Sequence, residues 1–380
     1  MVALPLPPPI WVATQAGLRQ VAQELLHHRQ VAVDTESNGL HAYQEQVCLI
    51  QFSTEEADYL IDPLALDDLS ALAPIFADPG IEKVFHAAEY DILCLKRDFG
   101  FQFENLFDTM LAARILGKPQ LGLGALLEED FGIHLDKKYQ RANWARRPLP
   151  EVMRSYARLD SHYLIALRNH LYTQLAEKGL LGLAVEDFRH LAQIPPAPVE
   201  AEPPNCWRVA GRQSLHPVEA AILQALCDFR DQQARFANVP PFRVLPNAVL
   251  AEIARSVPQT LEDLARVPGL SARAFDRYGL GIMEAIERGQ KASPVYPPRR
   301  QPRPTAAFLR RHEALRKWRK DTGRQLGVES DIILPRDLMN RLVEANPRTP
   351  GELARVMADY PWRLEHFGEQ IFRIIQENRS

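Results

Sequence analysis

Two carboxylates close the first apolar run of the chain. In Val31-Ala32-Val33-Asp34-Thr35-Glu36, Asp34 and Glu36 stand two residues apart at the end of a predicted strand, just before the turn signal Ser37-Asn38-Gly39. Side chains at i and i+2 of a strand share a face, so these like charges repel unless water or a cation compensates them. Tyr156 and Asp160 are four residues apart in a stretch whose apolar stripe is Met153, Leu159, Leu164 and Leu167, a spacing that puts them one turn apart on one helix face. Asp91 falls early in the helix expected after Lys83-Val84-Phe85-His86, where a carboxylate also favours the macrodipole. Taken singly, these are equally a solvated strand end, a solvent-facing helical pair and a helix-start acid, and His86, Glu89 and Asp108 read just as blandly. Brought together, the carboxylates would suit hard divalent cations, which take oxygen ligands.

The elements that would hold them divide by pattern. Val31–Asp34, Val47–Phe52, Tyr59–Asp62 and Lys83–His86 are short runs rich in β-formers, spaced for a sheet. Helical periodicity follows at 89–99, 105–116, 121–131 and 149–178. Early strands and later helices predict an α/β domain, a mixed sheet with helices on its faces.

At 380 residues the chain is too long for one ordinary domain, and 46% hydrophobic with 24% charged residues excludes wholesale disorder. No apolar stretch approaches the roughly 20 residues that span a bilayer, so no membrane partner is expected. The N-terminus lacks a basic region and is broken by prolines, so no signal peptide is expected. Cys48, Cys94, Cys206 and Cys227 form no CxxC pair, which argues against zinc and a disulfide framework; a reduced, cytoplasmic protein is expected. Proline-rich stretches at 193–205 and 292–304 read as stiff linkers. They divide the chain into 1–192, 206–291 and 305–380.

The last two segments are copies. An offset of 89 residues superposes Leu245-Pro246 on Leu334-Pro335, Leu264-Ala265-Arg266-Val267 on Leu353-Ala354-Arg355-Val356, and Gly279, Ile282 and Ile286 on Gly368, Ile371 and Ile375. In the first copy, short helices are predicted near 217–234, 245–256, 260–266 and 279–288, so each copy reads as a small all-α domain.

Charge divides the same way. Residues 1–205 carry 17 Lys/Arg against 28 Asp/Glu, and residues 206–380 carry 28 against 20. An acidic half suited to cations and a basic half suited to a polyanion are one reading, and solubility drift between domains is the other. Two basic stretches are candidates for nucleic acid. Lys137-Lys138-Tyr139-Gln140-Arg141-Ala142-Asn143-Trp144-Ala145-Arg146-Arg147 interleaves cations with aromatics, as single-strand binding needs; the other reading is a basic loop that neutralises the acidic domain surface. Residues 291–324 hold 11 basic residues against Glu313 and Asp321, with Arg310, Arg311, Lys317 and Lys320 at helical spacing and Trp318 nearby for stacking. Residues 215–290, by contrast, are near neutral, with 8 Lys/Arg and 9 Asp/Glu, and the first copy is expected mainly to space the second from the active site.

In chain order, a strand Asp-x-Glu, a helix-start Asp and a helical Tyr-x-x-x-Asp resemble the signature of the DEDD superfamily of 3′→5′ exonucleases, tyrosine subtype. Phe107-Asp108-Thr109 with Ala112-Ala113-Arg114, and Lys138-Tyr139-Gln140…Trp144…Arg147-Pro148-Leu149, resemble segments of the ribonuclease D family. The paired copies resemble HRDC domains, found in that family and in RecQ-type helicases. Asn143 departs from the acidic residue expected before the Trp. The resemblance implies a ribonuclease H-like α/β exonuclease domain followed by two HRDC-type domains. It implies catalysis by Asp34, Glu36, Asp91, Tyr156 and Asp160 with two divalent ions, Mg²⁺ or Mn²⁺. Asp34 would bridge the ions, Glu36 and Asp160 would hold the one that activates water, Asp91 would support the second, and Tyr156 would orient the water. The implied function is 3′ maturation of tRNA precursors and other small structured RNAs by release of 5′-mononucleotides, and a monomer is expected. The carboxylates themselves leave a DNA exonuclease of the same superfamily open, and a non-catalytic nucleic-acid-binding adaptor as well.

Overall fold

The computed structural model describes residues 6–196, 206–211, 215–296 and 304–379. Most of each expected linker (197–205 and 297–303) and the first five residues lie outside the described residues. The described parts of 1–36, 47–197 and 302–380 form one compact unit, and residues 37–46 with the described parts of 198–301 form another.

The first unit is built on a mixed six-stranded sheet. Its strands are β1 (Ile10–Val12), β2 (Gln30–Ser37), β3 (Val47–Ser53), β4 (Asp58–Ile61), β5 (Glu82–Phe85) and β6 (Leu106–Asp108), in the order β1-β4-β3-β2-β5-β6. β3 and β4 are antiparallel, while β1–β4, β2–β5 and β5–β6 are parallel. β2 is central, and Val31, Ala32 and Val33 are wholly buried, which is why its run is continuous rather than alternating. Helices α1 (Gln15–Leu25), α2 (Ala73–Ala77), α3 (Glu89–Phe99), α4 (Thr109–Ile115), α5 (Leu123–Phe131), α6 (Glu151–His162), α7 (Leu164–Glu177) and α8 (Leu181–Ala192) accompany it.

Several expectations change. The helix expected over 105–116 begins only at Thr109, because residues 106–108 pair with β5 as an edge strand (Val84 opposite Phe107) and Asp108 caps α4 by accepting from the Leu111 amide at 2.9 Å. The helix expected over 149–178 is two, α6 and α7, meeting at Tyr163. The end of α6 is held to the sheet there, where His162 Nδ1 lies 2.9 Å from an Asp58 carboxylate oxygen. The short β1 and β6 have too few residues to show a pattern, whereas α1 and α8 are not among the expected helices, although Leu18, Val21, Ala22 and Leu25 of α1 stand at i, i+3, i+4 and i+7 behind a Thr14 cap.

The second copy belongs to this unit. Its helices are α15 (Ala306–Leu326), α16 (Ser330–Ile333), α17 (Arg336–Ala345), α18 (Pro350–Val356) and α19 (Pro361–Glu377). The Arg363 guanidinium is wholly buried and lies 2.5 Å from Glu186 Oε1 and 2.7 Å from Asp187 Oδ1 on α8. Arg114 pairs with Glu329 and Asp331, Tyr360 stacks on His190 at 4.1 Å between ring centres, and Ile332 joins the core of the sheet domain.

The first copy forms the second unit with α9 (Cys206–Ala210), α10 (Pro217–Ala237), α11 (Pro241–Val244), α12 (Asn247–Ser256), α13 (Leu261–Ala265) and α14 (Ala272–Lys291). The helix expected at 279–288 starts at Ala272, where Ser271 caps it. Its glycines mark close packing rather than a boundary: a Cβ on Gly289 would lie 2.4 Å from Ile222 Cα. Residues 37–46 pack with this copy through the Tyr43 hydroxyl, 2.7 Å from Asp231 Oδ1 and 2.8 Å from Arg235 Nε.

The two copies share details that follow the 89-residue offset. Asn238 and Gly327 end α10 and α15 in the left-handed conformation, as Val257 and Asn346 end α12 and α17. Thr260 and Thr349 cap α13 and α18. Arg230 donates to the Leu245 carbonyl and Arg319 to that of Leu334, both at 3.0 Å.

Candidate active site

The end of β2 opens into a cavity of about 330 Å³ that Asp34, Glu36, His86, Lys137, Tyr156 and Asp160 help to line. Asp34 and Glu36 come from the strand, Tyr156 and Asp160 from consecutive turns of α6, which packs across β3 and β4. Carboxylate oxygens of Asp34, Glu36 and Asp160 lie within 4.8 Å of one another. Asp91 is not in this group. It is buried in the first turn of α3, and Thr35 Oγ1, between the two strand acids, donates to its Oδ1.

The electrostatics follow from crowding acids under little water. Burial is the first cause for all of them, and repulsion from the neighbouring carboxylates adds to it at Asp34 and Glu36. Asp34 is held well above the usual carboxylate range by burial and then by Asp91, Asp160 and Glu36. Burial, then Asp160 and Asp91, push Glu36 up to about 9. Burial raises Asp91 to about 7 against the opposing Thr35 hydroxyl, and Asp160 likewise to about 7. Burial and the neighbouring carboxylates raise the Tyr156 phenol, so it stays a neutral hydroxyl.

His86 and Asp108 read blandly in sequence, and Thr109 enters there only through the family-like segment, yet all three support the site. His86 is held near 4 by burial and is therefore neutral. Thr109 Oγ1 donates to the Phe85 carbonyl at 3.0 Å, so it accepts from His86 Nδ1 at 2.9 Å, which leaves Nε2 as the acceptor. Asp108 does more than start a helix. Its oxygens also accept from the amides of Ala87 (3.2 Å) and Ala88 (2.7 Å), holding Ala87 at φ +61°, a left-handed turn that a residue with a Cβ adopts only with such support. That turn sets the start of α3 and the place of Asp91. An Asp-Thr pair opening a helix is the sequence signal for this cap.

The basic loop is partly structural. Trp144 is 1% exposed and packs beside Tyr156 with Leu60, Leu149 and Met153, so it supports the Tyr156 ring and is not an open stacking surface. Arg147, also expected to meet RNA, has its guanidinium turned inward onto both Asp62 oxygens (2.7 and 2.6 Å) and the carbonyls of Cys48 and Trp144. Lys137, Lys138, Arg141 and Arg146 are exposed, and Tyr139 is half-buried with its ring edge-on to Tyr156. In the second copy Arg310, Lys317 and Lys320 are exposed. Arg311 is not: it is buried with its guanidinium on the Val343 carbonyl, because α15 packs that side on α17. Trp318 is half-buried against Phe367, its Nε1 donating to Gln370 Oε1 at 2.9 Å.

The 3′-5′ exonuclease family pattern matches residues 9–176, and the HRDC domain pattern matches 219–286 and 308–375. Over 312 residues the chain is 31% identical to ribonuclease D of Gluconacetobacter diazotrophicus, covering 80% of this chain and 79% of that one. The chain belongs to the ribonuclease D family of 3′→5′ exoribonucleases. It is also 35% identical over 267 residues to the exosome complex exonuclease RRP6 of Saccharomyces cerevisiae, of whose length it spans about a third, 36%. The crystal structure of Escherichia coli RNase D, an exoribonuclease involved in structured RNA processing, superposes with a TM-score of 0.68 at 25% identity, covering 98% of this chain and all of that one. The ribonuclease D pattern thus takes in the sheet, the carboxylate cavity and both helical copies. No helix among the described residues is long and apolar enough to cross a membrane.

Proposed function

We propose that the chain removes nucleotides one at a time from RNA 3′ ends, with Asp34, Glu36, Asp91 and Asp160 holding two divalent ions, Mg²⁺ or Mn²⁺, and Tyr156 orienting the attacking water. The observation that carries this reading is the convergence of Asp34, Glu36 and Asp160 oxygens within 4.8 Å in a cavity that the Tyr156 side chain also lines. The donor set fits such ions: all are hard carboxylate oxygens, and their repulsion is relieved by cations. Divalent ions held there would stabilise the charge that develops on the phosphate and make water a better nucleophile.

The chain's own groups do the rest. Tyr156, a neutral hydroxyl, can hold a water by donating or accepting a hydrogen bond. Lys137 at the cavity rim meets the phosphate charge, and the neutral His86 offers its Nε2 as an acceptor. The water oxygen joins phosphorus as the bond to the upstream O3′ breaks, so the released nucleotide keeps a 5′-phosphate and the shortened chain keeps a 3′-hydroxyl. The cavity is at the small end of ligand pockets and suits a single unpaired terminal nucleotide, so stable duplex should halt the reaction. Lys137, Lys138, Tyr139, Arg141 and Arg146 line the approach, and Arg310, Lys317 and Lys320 meet the body of a structured RNA. The substrate class is 3′-extended tRNA precursors and other small structured RNAs, handled by a cytoplasmic monomer.

The test is end-labelled RNA and DNA of one sequence, incubated with Mg²⁺, Mn²⁺ or EDTA. RNA should be shortened stepwise to 5′-mononucleotides only with metal. Cleavage of a circular RNA, activity in EDTA, or faster shortening of the DNA would overturn the reading.

A further inference from the structure

Among the described residues, two groups of His, Asp or Glu side chains bring ligand atoms within 4.8 Å of one another. One is the catalytic trio. The other is Glu24, His28 and Glu56, at the far end of the central strand. β2 begins two residues after His28 and carries Asp34 and Glu36 towards its close, roughly 20 Å further on at the rise of an extended chain. Ions in the two places would share no ligand.

Separate elements supply the group. Glu24 is in the last turn of α1, and His28 Nε2 lies 3.7 Å from its Oε1. The amides of His27 and His28 still bond to the carbonyls of Glu24 and Leu25, at 3.0 and 3.2 Å, so the chain keeps its helical turn there. Glu56 comes from the turn between β3 and β4, where the buried Thr54 hydroxyl accepts from the Glu56 and Ala57 amides at 3.2 and 3.1 Å. Taken alone, Glu24 and His28 are an ordinary i, i+4 pair at a helix C-terminus. Tyr59 on β4 points beyond that. It is 6% exposed, and its hydroxyl has no hydrogen-bond partner among the described residues. Burial and then Glu24 and Glu56 raise its phenol, which places it near both acids. A cavity of about 430 Å³ that His28 and Glu56 help to line opens alongside, with room for water, and the Arg168 in its wall is neutralised by Glu82 at 2.7 Å. The donor set differs from the catalytic one. An imidazole nitrogen beside carboxylate oxygens suits a transition ion better than Mg²⁺, and Zn²⁺ takes both kinds of ligand in a four-coordinate shell. None of the ligands is a cysteine, so the missing CxxC pair has no bearing on it.

We propose that Glu24, His28 and Glu56 bind a Zn²⁺ ion, with a water held by the Tyr59 hydroxyl in the fourth position, at a site separate from the catalytic cavity. The proposal is independent of the nuclease reading. The ion clips the end of α1 to the β3–β4 turn. Because it binds the folded chain, it raises Tm as its concentration passes its dissociation constant.

The test is isothermal titration of the full chain with Zn²⁺ in excess Mg²⁺, together with thermal unfolding. H28Q/E56Q removes two ligands of this group, and D34N/D160N alters the catalytic one; circular dichroism checks that both variants fold. The parent should bind one Zn²⁺ more than H28Q/E56Q, and Zn²⁺ should raise the Tm of the parent above that of this variant. D34N/D160N should keep the additional ion. The single change H28Q should weaken it by at least about tenfold, since loss of even an outer-shell partner of a metal ligand costs that much. Equal Zn²⁺ binding by H28Q/E56Q and the parent would overturn the site. Loss of the additional ion in D34N/D160N would assign it to the catalytic carboxylates and overturn the site as well. In crystals grown with Zn²⁺, an anomalous peak beside His28 Nε2 is expected, and peaks confined to the catalytic cavity would refute it.

Discussion

The Thr35 hydroxyl donates to Asp91 Oδ1, joining the strand that carries Asp34 and Glu36 to the first turn of α3. The bond lowers the proton affinity of Asp91 against the burial that raises it. Thr35→Val, nearly the same shape, removes the donor. We expect lower kcat/KM and an acid limb of its pH profile displaced to higher pH, because Asp91 then takes up a proton more readily. A profile that superposes on the parent's would refute the coupling.

The raised carboxylates make a stability prediction with a definite sign. In the metal-free protein they bind protons that the unfolded chain has already lost, so stability falls as pH rises from the ordinary carboxylate range through about 7 (Asp91, Asp160) towards about 9 (Glu36). Thermal unfolding in EDTA should show Tm dropping over that window, and Mg²⁺ or Mn²⁺ should restore it by an increment that grows with pH. Asp34→Asn and Asp160→Asn should raise Tm in EDTA at pH 8 while removing nuclease activity. A lowered Tm in both variants would contradict the repulsion.

Tyr156 separates orientation from binding. Tyr156 lines the cavity while its ring packs against Trp144 and Tyr139, so Tyr156→Phe keeps the packing and loses only the oxygen. Turnover should fall by roughly 10²–10⁴-fold, the usual loss for a group that positions or shares a proton, with RNA affinity nearly unchanged. Normal turnover with weakened RNA binding would assign the hydroxyl to the substrate instead.

What the sequence discloses here is periodic or local. The i, i+2 spacing of Asp34 and Glu36 and the i, i+4 spacing of Tyr156 and Asp160 fix shared faces, and the cavity contains all four. Asp91 could be placed on α3 but not outside the group that the other three form, because its position depends on the left-handed turn at Ala87, which Asp108 supports from a strand too short to show a pattern. Charge misleads where geometry decides. Arg147 and Arg311 read as surface cations beside exposed lysines, yet each binds inward, to Asp62 and to the Val343 carbonyl. The repeat was visible as an offset, but the packing of the second copy on the nuclease domain rests on Arg363 meeting Glu186, a pairing 177 residues apart in sequence.

That buried pair gives a further prediction. Arg363 and Glu186 are almost wholly inaccessible, and removing one partner of a buried pair leaves the other charge uncompensated, typically about 3–5 kcal/mol. Arg363→Ala should therefore split denaturant unfolding into two steps, with the second copy leaving first. A single step at the parent midpoint would show that the pair does not hold the two together.

The helix α15 offers cations of two kinds, and they should respond differently. Arg310, Lys317 and Lys320 are exposed, whereas Arg311 is buried on the Val343 carbonyl. Exposed cations that meet phosphates release counterions, each steepening the salt dependence of single-strand binding by about 0.7. The triple change R310Q/K317Q/K320Q should weaken binding of a structured RNA and flatten its salt slope by about 2, with Tm held. Arg311→Gln should do the reverse, lowering Tm through loss of a buried hydrogen bond and leaving the slope near the parent's. The bland alternative for the exposed three is that they only offset the acidic nuclease domain. In that case the triple variant would bind RNA with the parent's slope, and the helix would have no part in substrate capture.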